Sequence, residues 1–128
     1  MRLLLDTHVL LWSLAASRKL PPAARRLLVD PRNTILYSAA SVWEIAIKSA
    51  LARKDFRVDL PQLLRAAGAT GFIELTVTSA HAARVATLPD LHRDPFDRLL
   101  IAQALTESAV LITNDARLGQ YGGEIRVF

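Results

Sequence analysis

Cysteine is absent from the 128 residues. A disulfide scaffold and a thiolate metal site are therefore both excluded, and the lack suits a cytoplasmic setting. Long apolar runs are missing as well. Met1 to Leu5 reaches Asp6 after only three leucines, too short for a signal peptide, and no later stretch has the length of a membrane helix. Lysine is scarce: only Lys19, Lys48 and Lys54 stand beside thirteen arginines. There is no internal repeat, low-complexity tract or interdomain linker. What is present is a chain that is 52% hydrophobic, enough for a packed core, and of a length that suits one domain over 1–128. Sixteen basic residues oppose twelve acidic ones, for a net charge of +4. Arginine suits bidentate phosphate contacts, and a small basic domain often has a polyanionic partner; an ordinary solvated surface explains the charge equally well.

The apolar pattern alternates between short strands and helices. Arg2 to Leu5 reads as a buried strand, followed by a helix over Thr7 to Ala16 that buries Val9, Leu10, Leu11, Trp12 and Leu14. Pro21-Pro22 opens a helix to about Val29 with Arg25 and Arg26 outside, and Thr34 to Tyr37 reads as a second strand. A helix from Ser41 to about Ala52 follows, with Ser41 and Glu44 in the S-x-x-E spacing of a capping box and Lys48 one turn beyond Glu44. The charged stretch 53–57 reads as a loop. Leu60 to Ala69 is helical, ended by Gly68 and Gly71; Phe72 to Val77 is a third strand; Ser79 to Leu88 is a helix with His81 on its polar face. Asp94-Pro95 begins a helix through about Glu107, Ala109 to Thr113 is a fourth strand, and Ile125 to Phe128 a last one. Such alternation predicts a three-layer α/β/α sandwich on a mainly parallel sheet.

Four acids recur at matching places in these units: Asp6, Glu44, Asp97 and Asp115 each follow a strand or open a helix. Any one of them is explained as a helix cap. Together they converge on the carboxyl edge of the sheet, where open parallel sheets place ligands. Bare carboxylates repel one another, so a cation is expected among them, and an all-oxygen set suits Mg²⁺ or Mn²⁺. An ion held there activates water and stabilises in-line displacement at phosphorus.

Four segments, LLLDTHVLLW at 3–12, SAASVWEIAIK at 38–48, HRDPFDRLLIAQA at 92–104 and LITNDARL at 111–118, together resemble the PIN-domain nucleases. Within these, the similarity is to the VapC-like ribonuclease toxins of toxin–antitoxin pairs. The resemblance runs almost end to end. It implies an acidic catalytic and metal site of Asp6, Glu44, Asp97 and Asp115, with Asp94 either joining it or only capping its helix. It implies Mg²⁺ or Mn²⁺, endoribonuclease activity on RNA, a homodimer and neutralisation by a small antitoxin. Thr113 and Lys48 would support the acids, and Arg93, Arg98 and Arg117, flanking the motifs, are candidates for phosphate contacts.

Three other readings fit less of the chain. A metal-independent ribonuclease would use a histidine pair, but His8, His81 and His92 fall in no recognisable catalytic motif, and the four acids would stand idle. A haloacid-dehalogenase-type phosphatase wants a second aspartate where His8 stands, and a receiver domain wants a lysine near a late strand. The non-enzymatic alternative is a nucleic-acid or protein binding module whose acids are mainly helix caps.

Overall fold

The computed structural model describes residues 1–51 and 58–128, so the charged stretch 53–57 lies outside the described residues. The chain runs β1 (Arg2–Leu5), α1 (Thr7–Leu14), α2 (Pro22–Val29), β2 (Thr34–Ser38), α3 (Ala39–Ala50), α4 (Leu60–Thr70), β3 (Ile73–Leu75), α5 (Ser79–Arg84), α6 (Pro95–Glu107), β4 (Val110–Thr113) and β5 (Ile125–Val127). Short 3-10 helices occupy Val85–Thr87 and Ala116–Tyr121. The five strands form one sheet in the order β3-β2-β1-β4-β5, and every pairing is parallel.

The period of two along each strand splits the core between the two faces of the sheet. Leu3, Leu5, Ile35, Tyr37, Val110 and Ile112 share one face with Val9 and Leu10 of α1, Ala24 of α2 and Ala67 of α4. Leu4, Leu36 and Leu111 point the other way, onto Leu100, Ile101 and Ala104 of α6 and onto Leu118. Because both faces are covered, the central strands are continuous apolar runs rather than alternating ones, as parallel sheets require. The result is the three-layer α/β/α sandwich that the sequence predicts.

Several local expectations need correction. α3 begins two residues before Ser41: β2 ends at Ser38, whose extended backbone and hydroxyl, accepting from Ala40 N at 3.0 Å, make it the cap. Ser41 and Glu44 are therefore not a capping box; both lie inside the helix and are buried. The box falls instead on Thr78 and His81. His81 is consequently not a polar face residue: it is 1% exposed, and its Nε2 meets Glu107 at 2.9 Å. Of the five apolar α1 residues expected to be buried, Val9 and Leu10 are, while Leu11, Trp12 and Leu14 are half-buried. α4 passes through Gly68 and stops at Gly71, whose φ of 90° is the left-handed geometry of a helix C-cap. β3 shrinks to three residues because it is the sheet's edge and exposes Ile73 and Glu74.

β1 is the first strand in sequence yet the central strand of the sheet, with β2 on one side and β4 on the other. The chain therefore reverses its direction of winding beside β1, and a crevice opens at the carboxyl ends of β1 and β4.

Leu4 is wholly buried between sheet and α6. Leu4→Ala should lower the unfolding free energy by about 2–5 kcal/mol in urea titrations. Val29→Ala, at a side chain left 72% exposed, should change it by less than about 0.5 kcal/mol.

Candidate active site

The crevice is a cleft of about 390 Å³ lined by Asp6, Thr7, His8, Glu44, Lys48, Asp94, Asp97, Asn114, Asp115, Ala116 and Arg117. All four acids of the expected quartet thus face one space, as do Asp94, Lys48 and Arg117. Larger cavities open elsewhere, one of about 490 Å³ at the opposite ends of the strands, but its lining is dominated by apolar side chains such as Ile101, Leu105, Val110 and Ile125.

Each acid is delivered by a different element. Asp6 follows β1 directly and caps α1, its Oδ1 accepting from Val9 N at 2.8 Å. Thr113, the last residue of β4, donates its hydroxyl to Asp6 Oδ2 and accepts from Asp115 N at 3.0 Å. A single buried threonine therefore ties the two strand ends that carry Asp6 and Asp115. Glu44 reaches the cleft from the second turn of α3, only 5% exposed. Its Oε1 accepts from Thr7 Oγ1 at 2.7 Å and its Oε2 from Lys48 Nζ at 2.7 Å. Asp97 lies in the first turn of α6, and His92 Nε2 meets its Oδ2 at 2.9 Å. Asp94 is the N-cap of that helix, Oδ1 accepting from Phe96 N and Asp97 N at 2.8 and 3.2 Å. Asp115 caps the following 3-10 turn and grips Arg117 with both oxygens.

The arginines divide. Arg117 lines the cleft. Arg98 does not: its guanidinium is bonded to the carbonyls of Val85 and Pro89 and to Tyr121 Oη at 3.0–3.2 Å. Arg93 is exposed and outside the cleft lining. Thr7 and His92, which the sequence reading left unassigned, contact two of the acids directly. Thr7 could have been found from its place beside Asp6 at the head of a helix, and His92 from its place in the same short segment as Asp94 and Asp97.

The electrostatics are those of crowded carboxylates. Burial raises the Asp6 carboxyl above the usual range, against the lowering influence of its bonds from Thr113 and Val9, and the charge of Glu44 adds to the rise. Asp97 is raised by burial first, with Asp94 and Glu44 adding and His92 opposing. Asp115 is held below the usual range by Arg117. Oδ1 of Asp97 and Oδ2 of Asp94 accept no hydrogen bond among the described residues, and each ionised carboxylate has about four acceptor sites. This all-oxygen donor set, with uncommitted lone pairs and mutual repulsion, fits a hard divalent cation. The one cluster of three possible ligands whose donor atoms lie within 4.8 Å of one another among the described residues is a different set, His92, Asp94 and Asp97, with a nitrogen in it; no three of Asp6, Glu44, Asp97 and Asp115 meet that spacing.

A raised carboxyl binds its proton more tightly in the folded chain than in the unfolded one. Asp6 therefore penalises folding above its folded pKa, and the penalty fades as pH falls towards its unfolded value. Asp6→Asn keeps the shape and the cap, and its amide NH2 can donate to the Thr113 hydroxyl in place of accepting from it, so the junction keeps a bond. In chelator at pH 7 the variant should melt at or a few degrees above the parent, with the gap closing by about pH 4 in thermal melts. With Mg²⁺ added, the parent should gain stability and the variant less. If Asp6 serves only as a cap, the variant melts lower in both buffers.

The PIN-domain family profile matches residues 3–124. No curated protein matches the chain. Among solved structures, it is similar to VapBC2 from Rickettsia felis, bound to a promoter DNA fragment, with a TM-score of 0.71, 16% identity and coverage of 99% of this chain and 98% of that one. VapBC-1 from nontypeable Haemophilus influenzae gives 0.67 at 20% identity, covering 99% and 98%. A toxin–antitoxin complex from Klebsiella pneumoniae gives 0.66 at 20% identity, covering 97% and 95%. At these identities the structures speak for the fold, and the profile, spanning nearly the whole length, speaks for descent: the chain belongs to the PIN-domain family.

Proposed function

We propose that the chain is a divalent-metal-dependent endoribonuclease and the toxin of a toxin–antitoxin pair, working as one cytoplasmic domain over 1–128. The observation that carries the reading is the placement of Glu44 and Asp97. Neither caps a helix, yet both turn into the same cleft as Asp6 and Asp115. A binding module with acids for caps explains Asp6, Asp94 and Asp115, which do cap. It gives no reason for setting two further carboxylates against them, Glu44 buried and Asp97 half-buried, at a cost in desolvation.

Asp6, Asp97 and Asp115 would hold Mg²⁺ or Mn²⁺, with Glu44 and Asp94 flanking. The bound ion would supply Lewis-acid polarisation of a phosphoryl oxygen and a water of lowered pKa. The chain's own groups do the rest. Thr113 fixes Asp6 against Asp115, and Thr7 with Lys48 fixes Glu44. Oδ1 of Asp97, uncommitted among the described residues, is the oxygen left to face the ion. Lys48 and Arg117 bring positive charge to the cleft for a phosphate, Arg117 by exchanging Asp115 for it. None of this uses a 2′-hydroxyl, so no cyclic phosphate forms; water adds to phosphorus as the 3′-oxygen leaves and takes up a proton, giving 5′-phosphate and 3′-hydroxyl ends, and preference for RNA rests on the groove.

The partner reading follows from the relatives, two of which are VapBC assemblies and one a toxin–antitoxin complex. The antitoxin would be a small protein that lays an arginine into the acidic cleft in place of the cation, on a toxin that is itself a homodimer.

Cleavage of a panel of structured RNAs should require Mg²⁺ or Mn²⁺ and stop in excess EDTA. Asp97→Asn should lower the rate by roughly 100-fold or more, the scale of losing charge stabilisation at a bound ion. Full activity in EDTA, or cyclic-phosphate ends, would discard the mechanism. Gentle purification from the native host should recover a bound small protein by mass spectrometry; recovery of the free chain alone would count against the toxin role.

A further inference from the structure

The carboxylate of Asp97 sits where its own neighbours push it away. The negative charges of Asp94 and Glu44 both act on it, and an aspartate has two side-chain torsions through which to yield. Asp94 fixes only the backbone: its Oδ1 holds Phe96 N and Asp97 N, which sets where the Asp97 side chain starts but not where it points. The single protein group bonded to the Asp97 carboxylate among the described residues is His92 Nε2, at 2.9 Å from Oδ2. An ionised carboxylate only accepts, so Nε2 carries the proton and donates it. The imidazole is only 11% exposed, so the bond meets little competition from water.

His92 precedes the helix, on a segment without regular hydrogen bonding of its own, and it is anchored by residues from farther along the chain. Arg98 NH1 donates to Pro89 O at 3.0 Å and to Tyr121 Oη at 3.2 Å, and NH2 donates to Val85 O at 3.2 Å. Tyr121, packed against the α6 side of the core, donates to the carbonyl of His92 itself at 3.4 Å. One guanidinium and one phenol thus clamp the 85–92 segment to α6.

We propose that His92 is a positioning residue for Asp97, aiming its free oxygen into the cleft, and that Arg98 and Tyr121 act through it by fixing the segment on which it stands. The proposal rests on the metal-site reading above. His92 as an ion ligand in its own right is the competing arrangement, since its ring lies close enough to Asp94 and Asp97. Geometry favours positioning because Nε2, the nitrogen aimed at the cluster, is already bonded to Asp97.

The test is calorimetric titration of the full chain with Mg²⁺, Mn²⁺ and Ni²⁺, alongside thermal melts in chelator. His92→Leu removes the donor. It should weaken all three ions by the same factor, about 10–100-fold, as for other partners that orient a ligating side chain. His92→Gln returns an N–H donor at similar reach without an imidazole, and should bring all three affinities back most of the way. Tyr121→Phe loses only a hydroxyl and is the second variant should His92→Leu fail to fold. It should show a smaller loss, again in the same ratio for every ion. A loss selective for Ni²⁺, which prefers imidazole, would make His92 a ligand and overturn the proposal. Parent affinity in His92→Leu would overturn it too, as would failure of His92→Gln to restore binding while melting like the parent. If the parent binds none of the ions, the metal-site reading itself falls; if it binds them and His92→Leu binds equally, only the positioning role falls.

Discussion

The architecture depends on the junction between the ends of β1 and β4. Asp6 N donates to Ile112 O, and Thr113 donates its hydroxyl to Asp6 Oδ2. These two bonds close the sheet at the point where the chain changes its direction of winding. They also fix the distance between the two strand ends from which the cleft opens. Because Thr113 also accepts from Asp115 N, one fully buried hydroxyl sets the positions of two acids at once. A carboxylate this deep is tolerated because it is hydrogen-bonded on both oxygens, one to a helix N-terminus and one to a hydroxyl.

The same constraint decides how the remaining negative charge is carried. Five carboxylates face one cleft, and beside the two threonine hydroxyls two cationic side chains and one imidazole stand against three of them: Lys48 at Glu44, Arg117 at Asp115 and His92 at Asp97. Each contact takes up part of a carboxylate and leaves lone pairs over. Arg117 is mostly solvent-exposed and its pairing is screened accordingly. Such a contact is readily exchanged, as the proposed entry of a cation and a phosphate would require. Asp6 and Asp97, by contrast, retain the marks of desolvation.

Much of this was legible in the sequence, for identifiable reasons. β1, α2, β2, α6 and β4 were found nearly to the residue because buried apolar runs, Pro at a first helical position and Asp94 as a cap are strong local signals. The start of α3 was missed because Ser38 and Ser41 are both competent caps. The choice between them depends on where β2 stops pairing with β1, a tertiary fact. β3 was overextended because Phe72 to Val77 is β-favouring throughout, while its position at the sheet edge leaves only three residues paired. His81 was misplaced because its partner, Glu107, lies on another helix. The charge patterning around α6 likewise said nothing of Arg98's carbonyl partners: a guanidinium beside an acidic motif reads as a phosphate contact until its five donors are traced.

The ambiguity between cap and ligand has a physical root. In a parallel α/β sheet every strand delivers the chain to a helix N-terminus on the same edge, and free N–H groups there favour a carboxylate whether or not a cation comes near. Asp6, Asp94 and Asp115 satisfy that local demand, so their presence alone could never separate a binding module from a metal site. The residue that favours the proposed metal site over caps alone is Glu44. It stands in the second turn of α3, past the reach of the helix's free N–H groups, and Ser38 already supplies the cap. No local rule of helix formation asks for a buried acid there. Its burial beside Asp6, with a threonine and a lysine arranged to hold it, is intelligible only as part of the cleft.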